Sequence, residues 1–139
     1  MSTTAQWVFD KAIYLMDEQN ESSGATVTSD TNEYKLRTVP ILNVLRGELY
    51  PYSDNYPDST DGTRPVCPEL TALTDLIGLD DVIAQTILPY GLAAHLMLGE
   101  NDQIASFFLQ RYQELKMTLA SQRPATWEDI EQYYGGLDV

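Results

Sequence analysis

The chain has 139 residues, 43% of them hydrophobic, and a formal net charge of −13 from 21 acids against eight Lys and Arg. That length defaults to one domain with a real core, and the apolar fraction excludes wholesale disorder. So few scattered cations exclude sequence-independent nucleic-acid binding and adhesion to an anionic membrane, both of which need clustered Lys and Arg.

The N-terminal stretch lacks a basic start, a pure apolar core and a cleavage site, so no signal peptide is expected. A first helix is predicted from about Thr4 to Asn20, with Val8, Phe9, Ala12, Ile13 and Met16 on one face and Thr3 or Thr4 as its cap. The polar segment from Glu21 to Asp30 reads as a mobile loop. Asp30 is the expected cap of a second helix, about Thr31 to Tyr50, buried along Tyr34, Thr38, Ile41, Leu42, Leu45 and Leu49. Pro40 inside it predicts a kink or a broken first turn. A long loop, Pro51 to Cys67, follows, and loops of that length usually have a job or are disordered. Pro68 then suits the first position of a short helix, PELTALTDLI, which Gly78 ends.

Between Asp81 and Glu100 lie eighteen residues without a formal charge. A helix apolar all round must be buried or inserted in lipid. This one contains Gln85, Thr86, Pro89, Tyr90, Gly91 and His95, has acids at both flanks, and falls short of the roughly 20 predominantly apolar residues of a membrane span. It is therefore read as the central helix of a soluble, intracellular protein, capped by Asp80, stapled by Leu79, kinked at Pro89 and ended by Gly99. Asn101 caps a last long helix with an apolar stripe of Ile104, Phe107, Phe108, Tyr112, Leu115 and Leu119. After a linker, Thr126 starts a short amphipathic helix that Gly135-Gly136 stops. The expected fold is all-α: a small antiparallel bundle of four to five helices over residues 1–120, with residues 121–139 as a short helix and tail.

Chemistry is hard to find. His95 is the only histidine and has no nucleophile or carboxylate beside it, which suits packing or an interface. Cys67 is alone, so neither a disulfide framework nor a thiolate zinc site is expected. The acidic loop with Asp54, Asp58 and Asp61-Gly62 fails as an EF-hand, because Pro68 stands where the bidentate glutamate belongs. Asp80-Asp81 and Glu128-Asp129 sit at helix starts, where the dipole favours acids. No catalytic residue, metal ligand or cofactor is expected, and the chain is read as a non-enzyme. What remains is aromatic surface. Tyr50, Tyr52 and Tyr56 flank the long loop, and Trp127, Tyr133 and Tyr134 cluster near the end, as candidate partner contacts.

The unit ILPYGLAAHLMLGEND, then IASFFLQRYQEL, then the terminal DIEQYYGG, resembles the head–tail connector (adaptor, neck) proteins of tailed phages and prophages. The segment LNVLRGELYPYSD, Leu42 to Asp54, is similar to the helix and loop of the same proteins, and the likeness runs in element order over residues 5–136. It implies a helical subunit of a homo-oligomeric ring beneath the portal, touching portal and tail-completion proteins and joining head to tail. DNA would pass through without being specifically bound, and an acidic lumen would keep the phosphates from sticking. The implied location is the virion neck, after assembly in the bacterial cytoplasm. Two other readings stand beside it. An acidic regulator that mimics DNA and inhibits a DNA-processing partner requires acids along one exposed face. A small helical enzyme or ligand-binding module requires a pocket lined by Tyr90, His95 and Met97.

Overall fold

Thr4 begins the first helix: its hydroxyl accepts the Trp7 amide at 3.1 Å, and α1 follows over Ala5–Met16. The computed structural model describes residues 1–18, 20–58 and 61–121. The expected face of α1 is the buried one, with Val8, Phe9, Ala12 and Ile13 fully enclosed. The helix ends before Asn20 because Asp17 turns left-handed (φ 58°) and its N–H returns to the Ile13 and Tyr14 carbonyls.

Helix α2 spans Asn32–Leu49, and Thr31 rather than Asp30 stands at its cap position. The Thr31 hydroxyl works backwards into the preceding loop, donating to the Thr26 carbonyl at 2.6 Å and accepting the Thr28 amide at 2.9 Å. Tyr34, Thr38, Leu42, Leu45 and Leu49 are buried as expected, with Ile41 half-buried. The helix is continuous through Pro40, so no turn is broken there. Pro40 and Leu36 are both exposed, so water can serve the Leu36 carbonyl that the proline leaves without its N–H.

The helix expected from Pro68 does not form. Arg46 and Asn43 of α2 take its backbone groups first. Arg46 donates to the carbonyls of Pro68 at 2.6 Å and Ile77 at 2.7 Å, while Asn43 exchanges bonds with both the N–H and C=O of Leu70. From the other side, the Ala5 and Gln6 amides donate to the Asp75 and Leu73 carbonyls, and the Ile77 amide donates to Thr3. Groups that a helix would consume internally are thus spent tying the start of α1 to α2, so residues 68–80 form a strap.

Asp81 opens the central helix. Its first turns are a π segment, Ile83–Ile87, which leads without a break into α3, Leu88–Met97. The irregularity expected at Pro89 takes this form: a proline ring clashes with the carbonyl four residues back, and the wider π turn relieves that crowding. Asp80 does not cap the helix with its side chain; its carboxylate instead accepts the Asp54 amide at 3.1 Å. Gly99 (φ +91°) closes α3, and the Glu100 and Asn101 amides return to the Met97 carbonyl. Asn101 caps α4, Asp102–Ser121, by accepting the Ile104 amide.

Helix α3 packs against α1, α2 and α4 and carries the core, with Leu88, Leu92, Ala93 and Leu96 enclosed. Gly91 is the point of closest approach: a Cβ there would lie 2.9 Å from Tyr112 Cδ2 and 3.0 Å from Leu45 Cδ1. Among the described residues the fold is all-α, four α-helices with no strand, and no helix is long and apolar enough to cross a membrane. The predicted short helix after Thr126 lies outside the described residues.

Candidate functional site

The apolar stripe of α4 is only partly covered. Ala105, Phe108 and Tyr112 are buried and Leu115 and Leu119 half-buried, but Ile104 is 39% and Phe107 61% exposed, against the expectation that all six stripe residues pack inward. The reason is geometric: α4 lies mainly on α3 and the π segment, and one neighbouring helix covers only a narrow strip. Ile104, Phe107 and Arg111 recur at helical spacing on the uncovered flank. There Arg111 stacks over Tyr90 at 5.9 Å, while Tyr90 and Phe107 both lean on Phe108.

The central helix is uncovered on the same side. Val82, Gln85 and Thr86 are exposed and Tyr90 half-buried, because α1 and α4 flank this face without closing over it. Two adjoining grooves result, meeting at Thr86. One, of about 410 Å³, runs between α1 and the π segment and is lined by Trp7, Tyr14, Leu15, Pro89 and Tyr90. Lys11 lies over the rings of Trp7 and Tyr14 at 5.1 and 5.7 Å, keeping its charge at the groove's edge. The other, of about 620 Å³, lies between the π segment and the last turns of α4.

Asp81 anchors the chain's first residues beside that second groove. It accepts the Thr3 hydroxyl at 2.8 Å, the Met1 ammonium at 3.1 Å and the Ser2 amide at 2.9 Å, and these bonds hold its carboxyl well below the usual range. Tyr112, bonded to Glu48 at 2.9 Å, ties α4 to α2; burial and that carboxylate push its hydroxyl upward. Tyr34 does the same towards Glu100 at the turn after α3.

Of the aromatic candidates, Tyr50 is buried and meets Tyr56 edge-on at 5.1 Å, and Tyr52 and Tyr56 are half-buried. Tyr50 therefore belongs to the core, and the loop offers the outer edges of Tyr52 and Tyr56. Trp127, Tyr133 and Tyr134 lie outside the described residues. His95 is exposed at the end of α3, and burial pushes the half-buried Cys67 thiol up, towards its unreactive form. Among the described residues, no three His, Cys, Asp or Glu side chains gather where a metal ion could be held. The sequence offers no measure of how far its neighbours cover each helix, so the exposure of Tyr14 and Phe107 and the groove beside the half-buried Trp7 were not legible in it.

No family model, curated protein or solved structure matches this chain.

Proposed function

We propose that this protein is a structural assembly subunit of the head–tail connector kind, forming a homo-oligomeric ring in a virion neck and meeting portal and tail-completion proteins there. The observation that carries the reading is the uncovered side of the molecule, where Tyr14, Ile104 and Phe107 are exposed beside the half-buried Trp7 and Tyr90, on three helices around a sealed core. A lone helical domain gains nothing by leaving Phe107 in water, whereas a ring subunit must present apolar surface to two neighbours. The resemblance of the α3–α4 unit to connector proteins supplies the specific assignment, and the chain's acidity suits a lumen that passes DNA. Among the described residues, seven of the acids gather in two separate groups rather than along one face. Asp17, Glu18, Glu21 and Asp30 lie around the loop after α1, and Asp54, Asp80 and Asp81 lie by the central helix. That distribution favours assembly over imitation of a DNA backbone.

Negative-stain electron microscopy of the concentrated full chain, alone and with a phage portal ring, tests the reading. Closed rings, or an added layer on the portal, are expected; single small particles in both samples would count against it.

A further inference from the structure

The groove between the π segment and the end of α4 has an apolar floor and an acidic edge. Ile83 and Ile87 close it below, Leu115 and Leu119 form one wall, and Val82, 68% exposed, stands at its margin. Asp54, Asp80 and Asp81 line the same opening. These acids are held in place: the Asp54 amide donates to Asp80, the Asp80 amide donates to the Ser53 hydroxyl, and Asn55 donates to the Gly78 carbonyl at 2.6 Å. Among the described residues, the Met1 ammonium on Asp81 is the only cation lining the groove, and no Lys or Arg pairs with Asp54 or Asp80.

We propose that this groove docks an amphipathic helix of a partner protein that carries Lys or Arg beside its apolar stripe. A trough between two helices accepts a third helix laid along it, with apolar side chains at i, i+3, i+4 and i+7 pointing down. The carboxylates of Asp80 and Asp81, fixed by their hydrogen bonds, and that of Asp54 beside them select for cations on the flank of that stripe and reject acids. Charge also distinguishes the occupants. Residues 122–139 carry four acids against Arg123 alone, and a second copy brings a net charge of −13, so neither complements the edge. The inference goes beyond the ring reading and does not depend on it, since Phe107 and Tyr14 remain open to copies of the chain.

The test is a titration of the isotope-labelled full chain with a designed helical peptide of Leu and Lys, followed by amide chemical shifts. Its Leu and Glu counterpart serves as the reference. The Leu/Lys peptide should shift the amides of Val82 to Ile87 and Leu115 to Leu119. Asp54→Lys and Thr118→Lys, both at exposed positions, should weaken it by about tenfold. Glu21→Lys, in the loop after α1, should leave it unchanged. Equal binding of the Leu/Glu peptide, or shifts confined to other surfaces, would overturn the proposal. So would shifts of the groove amides on dilution of the protein alone, which would assign the site to a second copy. Contacts from residues 122–139 to Val82 or Leu119 in the free protein would overturn it as well, by assigning the site to the chain's own end.

Discussion

At the scale of single residues, the tightest constraint is Gly91. A methyl group there meets the Tyr112 ring and Leu45 at 2.9–3.0 Å, where three helices converge. Gly91→Ala gains at most about 1 kcal/mol of helix propensity, against about 1–3 kcal/mol for overpacking. A net loss of about 1–2 kcal/mol is expected in urea denaturation. Asp81 sets a pH dependence. Its folded carboxyl titrates below the usual value, so the stability it contributes is complete above about pH 5 and drains away as pH falls. Asp75, which accepts the Thr71 and Ala72 amides, acts in the same direction. Asp81→Asn should therefore lose less stability than the natural chain between about pH 6 and pH 3, measured as the shift in urea midpoint.

At the scale of elements, the helices were legible in the sequence and the strap was not. The apolar faces of α1 and α2, the Thr4 and Asn101 caps and the Gly99 stop all depend on residues a few positions apart. The segment from Pro68 to Asp80 has equally good local signals for a helix, but Arg46 and Asn43 outbid them from more than twenty residues away. Arg46 stands between Leu45 and Gly47, and nothing local in those surroundings marks it as buried. Its guanidinium serves the Pro68 and Ile77 carbonyls and Asn43, so Arg46→Ala leaves the enclosed Ile77 carbonyl and the Pro68 carbonyl without their donor. That substitution should cost about 3 kcal/mol in equilibrium unfolding and speed amide exchange across residues 68–80 more than in α4. The π segment was legible only as trouble at Pro89; the relief comes in the preceding turn, which holds the Gln85 carbonyl that the proline ring crowds.

At the scale of the whole molecule, the charge-free helix is buried on the sides that α1, α2 and α4 cover and open along Val82, Gln85 and Thr86. A hydrophobic pattern records which side chains avoid water, without recording whether this chain or a neighbour excludes it. That is why Ile104 and Phe107 read as core from their spacing and stand exposed in the fold. The account's central claim is that the exposed surface carrying Tyr14, Ile104 and Phe107 is an assembly interface. Sedimentation velocity on the full natural chain and on Phe107→Ser, over a wide concentration range, tests it most directly. Phe107 is exposed, so the substitution should change stability by less than about 0.5 kcal/mol. The predicted result is a concentration-dependent, ring-sized species in the natural chain that Phe107→Ser weakens by about tenfold or more. Identical sedimentation of the two proteins, both monomeric at every concentration, would contradict it.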